Sequence, residues 1–239
     1  MFFKVVSLLV SSFVLLSCHP KIEMSNIINY QKSVLPFQSF VKISRLVKVK
    51  ICIGTKWIER IGKSNGSGSI ITKKSRAGQY VLTAGHMCEK SEISLFEEVS
   101  SKIVIRDFDD NEHEATIVKI DSENDICLLL SSTLNKPSIM ISSNPLESGE
   151  RIYNVAAPGG VFFKQVVPVF EGIFSGTTYD KKYDVYSIFG APGSSGSMVL
   201  NYRGYLVGII VEGYRGINVM RGPNYDIIKK FLFSVLKKC

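Results

Sequence analysis

From Val41 to Met220 the sequence is broken into short runs in which apolar and polar residues alternate, with Gly, Ser, Asn, Asp or Pro between them. No other feature constrains the fold as strongly. Successive side chains of an extended chain point to opposite faces, so each run buries one face only. Many short runs joined by turns therefore close into a barrel or stack as a sandwich. Val47, Val49, Ile51 and Ile53 alternate with Lys48, Lys50 and Cys52 as a half-buried strand. Strands are predicted at 70–71, 80–82, 102–106, 114–120 and 126–130, then at 151–156, 165–170, 172–175, 185–188, 198–200, 205–211 and near 217–220. Residues Ser64–Ser69 read as a Gly/Ser turn, and 137–145 as the connection between two halves. Helical spacing is convincing only at the end. After Asn224, an N-cap residue, Ile228, Phe231, Leu232, Val235 and Leu236 fall on one face. The expectation is an all-β protein with a C-terminal α-helix, and 239 residues with 45% hydrophobic content are enough for a substantial core.

The first residues are built differently. Met1-Phe2-Phe3-Lys4 precedes an apolar core from Val5 to Leu16, too short for a membrane span and of the length of a secretory signal. It ends in Leu15-Leu16-Ser17-Cys18, which resembles the lipobox of bacterial lipoproteins. That resemblance implies removal of residues 1–17, lipidation of Cys18 and membrane anchoring in the cell envelope; a plain signal cleaved near Ser17 is the alternative. Residues 18–40 read as a tether. Export would place Cys52, Cys88, Cys127 and Cys239 where disulfides persist, in any of three full pairings; Cys127, inside Ile126–Leu130, reads instead as a buried thiol. None has a partner at metal-ligand spacing, and no metal or cofactor is expected. The net charge of +8 is spread along the chain without an aromatic–basic RNA-binding motif, so no nucleic-acid partner is expected.

Chemistry concentrates in Gly190-Ala191-Pro192-Gly193-Ser194-Ser195-Gly196-Ser197. A serine between glycines sits on a tight turn whose backbone N–H groups, those of Gly193 and Ser195, can face a developing oxyanion. Such a serine needs a base. His19 lies in the tether, and His113 lies in a polar hairpin turn, 107–114, that mimics the opening of a calcium loop but lacks its glycine and its closing glutamate. His86 directly follows the strand Val81-Leu82-Thr83-Ala84-Gly85. The acid that best suits it is Asp125, immediately before the apolar run 126–130, with Asp121 the runner-up.

In the order His86, Asp125, Ser195 the chain resembles the trypsin/chymotrypsin-like serine peptidases, and among them the bacterial Deg/HtrA-type protease domain. The likeness runs through Gly66-Ser67-Gly68-Ser69, Thr83-Ala84-Gly85-His86, Asp125-Ile126-Cys127-Leu128-Leu129, Gly149-Glu150-Arg151-Ile152, Glu171-Gly172-Ile173-Phe174-Ser175-Gly176 and Gly204-Tyr205-Leu206-Val207-Gly208-Ile209. It implies a protease domain over 41–239 made of two six-stranded antiparallel β-barrels, chymotrypsin-like, about 41–136 and about 146–239 with the helix. By the same likeness Ser195 is the nucleophile, His86 the general base and then acid, Asp125 its orienting partner, and Gly193 and Ser195 N–H the oxyanion hole. The implied partners are protein or peptide substrates, cut as an endopeptidase.

The departures carry expectations too. Ser194 replaces the acid that pairs with a new N-terminus in trypsin-like zymogens, so activation by that ion pair is not expected. No PDZ domain is expected after the helix. Phe189 and Gly190 fall at the base of the primary specificity pocket, and Val211, Glu212 and Gly213 along its wall. Without an acid at the base, a small or medium apolar residue is expected before the cut. The competing readings are a non-catalytic double-barrel binding module and a viral-type processing protease.

Overall fold

The computed structural model describes residues 35–236, except 54–55, 74, 91–95, 215 and the side chain of Phe96. In the first half, strands β1 (Phe40–Ile53), β2 (Lys56–Ile70), β3 (Gln79–Ala84), β4 (Phe96–Arg106), β5 (Glu112–Asp121) and β6 (Ile126–Ser131) form a closed barrel in the order β1-β2-β3-β6-β5-β4. In the second half, β7 (Arg151–Val155), β8 (Val169–Thr177), β9 (Tyr183–Ser187), β10 (Met198–Asn201), β11 (Leu206–Ile209), β12 (Glu212–Gly213) and β13 (Val219–Pro223) form one sheet in the order β11-β10-β7-β8-β9-β13-β12. The expected pair of barrels is present, the second as a half-barrel of seven strands rather than a closed one of six. Helix α1 (Tyr225–Leu236) ends the described chain. Asn224 caps it, its side chain accepting from Asp226 N–H at 2.9 Å, and Tyr225, Ile228, Phe231 and Leu232 are buried against the sheet.

Period-two alternation lets one strand serve two cores. Met198 and Leu200 of β10 belong to a cluster that runs across both halves, from Phe40, Ile43, Leu82, Ile105 and Leu128 of the first to Leu206, Ile228 and Leu232 of the second. Val199 between them packs into a second cluster with Ile152, Phe174, Tyr186 and Val207. Each fully buried aliphatic side chain of this kind contributes roughly 1.5–3 kcal/mol.

Three expectations from sequence need correction. Ser64–Ser69 is not a turn but the body of β2, paired with Phe40–Arg45 of β1. Its small residues serve close packing: a Cβ on Gly66 would stand 3.0 Å from Ser195 O, and one on Gly68 2.8 Å from Ile43 Cδ1. Residues 165–168 are not strand, because Gln165 turns at φ 61° and donates its N–H to Phe108 O, leaving β8 to begin at Val169. The tether does not reach residue 40: Phe37 stacks on Phe108, the Ser39 hydroxyl donates to Pro137 O, and Phe40 is fully buried in β1.

The connection at 137–145 touches both halves. Ile139 N–H donates to Ile70 O, while Leu206 N–H donates to Met140 O and Ser142 N–H to Leu206 O.

Candidate active site

Strands β3 and β6 pair so that Ala84 stands opposite Ile126. The chain leaves β3 into a single 3-10 turn, Gly85–Met87, and enters β6 from Asp125. The register therefore brings His86 and Asp125 together. Asp125 Oδ1 accepts from His86 N–H at 2.7 Å, and its two carboxylate oxygens lie 2.9 and 3.1 Å from His86 Nδ1. Asp125 has φ 54°, a left-handed backbone that a non-glycine residue keeps only where its surroundings hold it. The Asp125 hydrogen bond, reinforced by the charges of Asp125, Glu89 and Glu212 and opposed by burial, raises His86 above the ordinary imidazole range. This geometry leaves Nε2 of a neutral His86 as the proton acceptor.

A disulfide joins Cys88 to Cys127, two residues beyond His86 and two beyond Asp125. It corrects the expectation of a buried thiol at Cys127. The apolar run around that residue would bury a thiol or a bridge equally well, and only the strand pairing shows what faces it.

The other candidates have structural work. The runner-up acid Asp121 accepts from Asn124 N–H and Nδ2, closing the turn before Asp125. Asp107 is buried in the hairpin turn, where it accepts from Asp109 N–H, Asn111 N–H and Nδ2, and contacts His113 Nε2 and Lys136. Burial opposes its ionisation, yet Asn111, His113 and Lys136 hold its carboxyl below the usual carboxylate range. His19, Cys18 and Cys239 lie outside the described residues.

Ser195 rides on the turn between Gly190 and β10. Gly193 has φ 103°, and a Cβ there would stand 2.4 Å from Ala157 O. Gly196 has φ 81°, and a Cβ there would stand 2.1 Å from Thr83 Oγ1 and 2.3 Å from Ser67 O. Only glycine fits either position. The second contact presses the turn against the end of β3, three residues from His86. From the first barrel, Ser67 N–H donates to Ser195 O at 2.8 Å and the Ser67 hydroxyl donates to Gly193 O at 2.8 Å. From the second half, Asn154 Nδ2 donates to Ser197 Oγ at 2.8 Å and to Met198 O at 2.9 Å. Gly159 N–H donates to Pro192 O at 2.6 Å; because the peptide is trans, the Gly193 N–H on its other side points away from Gly159. Among the described residues neither Gly193 N–H nor Ser195 N–H is engaged by another group. Two unengaged N–H groups beside a serine can hold a negatively charged oxygen formed on its substrate.

A cleft of about 630 Å³ opens beside Ser195, and Phe189, Gly190, Val211, Glu212 and Gly213 all line it. The ring of Phe189 packs on Phe170 at 5.0 Å, and Glu212 pairs with Arg221 across β12 and β13. Sequence reasoning missed Met220. It stands opposite Gly213 in β13, and Cβ atoms on Gly190 and Gly213 would stand 2.5 and 2.7 Å from its thioether. Its side chain therefore fills the space between the two glycines. No local pattern marks it, because the pairing that brings it there spans the loop from 214 to 218.

The fold and these motifs define a class. Residues 66–209 match the trypsin-like peptidase domain, and the chain belongs to that family. It is similar to proteins described as probable periplasmic serine endoprotease DegP-like, at 29% identity in Pseudomonas putida and 30% in Ectopseudomonas mendocina, each over 158 residues. Those alignments cover 63% of this chain and 30% of the relatives, so the chain spans less than a third of their length. The crystal structure of the serine endoprotease from Yersinia pestis matches with a TM-score of 0.62 at 19% identity, over 84% of this chain and 64% of that one. At that identity the likeness is one of fold.

Proposed function

We propose that this chain is an exported serine endopeptidase. Ser195 Oγ attacks the scissile carbonyl while His86 Nε2 takes its proton. Asp125, bonded to Nδ1, fixes the tautomer and stabilises the imidazolium. Gly193 and Ser195 N–H hold the oxyanion. His86 then passes its proton to the departing amine, leaving an acyl-enzyme that water, activated by the same histidine, hydrolyses. The observation that carries this reading is the His86–Asp125 pair, held by three contacts of 2.7–3.1 Å on the strand end against which the Gly196 turn packs. Ser195→Ala is expected to lower kcat by about 10⁶-fold on a peptide the parent protein cleaves; cleavage persisting with a small loss would remove Ser195 from the reaction. The second reading, a binding module on the same double-barrel frame, predicts no covalent labelling of Ser195 by a fluorophosphonate. The endopeptidase reading predicts labelling that His86→Ala abolishes.

Export rests on the signal-like residues 1–17 and on the Cys88–Cys127 disulfide, a bond that persists in oxidising compartments. The periplasmic designation of the DegP-like relatives agrees with it. Cys18 is read as the lipidated residue and 18–34 as the tether to the membrane; palmitate incorporation lost in Cys18→Ala is the expected result. The substrates are proteins or peptides with a small or medium apolar residue before the cut. Met220 at the foot of the cleft and the Glu212–Arg221 pair on its wall both favour that preference over a basic residue. A cleavage profile dominated by Arg, Lys or Glu would overturn it.

A further inference from the structure

Ser67 lies on β2 and is fully buried, yet three hydrogen bonds tie it to the other half of the molecule. Its N–H donates to Ser195 O at 2.8 Å. Its hydroxyl donates to Gly193 O at 2.8 Å and accepts from Ala157 N–H at 3.0 Å. Its carbonyl accepts from Thr83 Oγ1 at 2.8 Å. A hydroxyl has one proton, and here Ala157 N–H leaves it a single direction, toward Gly193 O. Ser69, two residues along the same strand and equally buried, has a hydroxyl with no hydrogen-bond partner among the described residues.

We propose that Ser67 is a positioning residue for the oxyanion-stabilising turn, a role that rests on the serine endopeptidase reading above. Gly193 is the flexible link of the turn, since glycine tolerates rotation of the peptides on either side. Gly159 N–H holds the carbonyl before it, and Ser67 Oγ holds the carbonyl after it. The first bond fixes the peptide that carries the Gly193 N–H, and Ser67, through Gly193 O and Ser195 O, holds the chain on both sides of the Ser194–Ser195 peptide that carries the Ser195 N–H, so both groups stay aimed. Without the hydroxyl, Gly193 O is left buried and unpaired. It gains a new partner by turning, and that turn misdirects the hole.

The test uses the full chain and a fluorogenic peptide that the parent protein cleaves. Ser67→Ala is expected to lower kcat by about 10- to 100-fold with KM within about threefold, because the lost alignment is felt in the transition state. Binding of a peptide aldehyde, whose adduct carries an oxyanion, should weaken by the same factor, whereas binding of the cleaved product peptide should not change. Ser67→Cys, which keeps the volume with a weak donor, should fall between the two, and Ser69→Ala should match the parent protein. Equal losses for aldehyde and product, or kcat kept within about threefold beside a lowered Tm, would make Ser67 a structural latch only and overturn the proposal. So would a failure of both Ser67 variants to fold. If Ser195→Ala leaves cleavage intact, the endopeptidase reading itself has failed; if it abolishes cleavage while Ser67→Ala is silent, only the present inference has.

Discussion

His86 holds its proton more tightly than a free imidazole because Asp125 accepts from it. A base must be neutral to act, so kcat/KM should rise with pH through a limb above the ordinary imidazole pKa of about 6.5. Asp125→Asn removes the main cause of the shift. The limb should then move to lower pH, while kcat falls by about 10⁴-fold through loss of the correct tautomer. A pH–rate profile of both proteins checks the pair, and an unmoved limb would break the link between Asp125 and His86. For stability the sign is the reverse. A raised histidine pKa stabilises the fold fully below the unfolded-state value, and that contribution is lost as pH climbs through the folded value. Met220 gives a residue-scale expectation of a different kind. Met220→Ala clears the space between Gly190 and Gly213, so the preference before the cut should move toward larger apolar residues. The change should be at least about 10-fold in relative kcat/KM, since a single methylene in an apolar pocket is already worth about 10- to 200-fold and this substitution removes three heavy atoms. An unchanged peptide-library profile would show that the side chain before the cut does not reach Met220.

At the scale of elements, the pairing of β3 with β6 does most to organise the site. It delivers histidine and aspartate from adjacent strand ends, and the Cys88–Cys127 bridge ties the same two segments. The bridge closes a loop of sequence separation 39, for which chain entropy gives about 4 kcal/mol of stabilisation. Cys88→Ser with Cys127→Ser, or reduction of the parent protein, should lower Tm and slow fluorophosphonate labelling together. A fall in Tm with labelling unchanged would show that the strand pairing alone holds the histidine. Much of this region was legible in sequence, since His86 and Asp125 each stand at the edge of a strongly apolar run. The bridge was not legible, because burial suits a thiol as well as a disulfide. Strand β2 was misread for a related reason. Gly66, Ser67, Gly68 and Ser69 carry turn-like composition, but they are small because the Ser195 turn and β1 lie against them. Composition alone cannot separate a chain that bends from a chain that is closely approached.

Across the whole molecule, the sequence pattern conveyed the two halves, their order and the closing helix, because alternation and turn spacing are local properties. It did not convey that the second sheet has seven strands, since whether a sheet closes depends on distant pairings such as β9 with β13. Nor did it show that Met198 and Leu200 join the large cluster that spans both halves while Val199 packs into the smaller one. A core shared in this way predicts that the two halves melt together. Ile105→Ala, fully buried in the first barrel and remote in sequence from His86, Asp125 and Ser195, should cost about 2–5 kcal/mol and remove activity and folded structure at the same temperature. A melt in which activity persists beyond the structural transition would contradict it.

The Gly196 turn is seated on Thr83 Oγ1 and the carbonyl of Ser67, groups that belong to the opposite half. In the endopeptidase proposed above, this arrangement ties the nucleophile to the contact between the halves, so any injury that parts them unseats the serine in the same event.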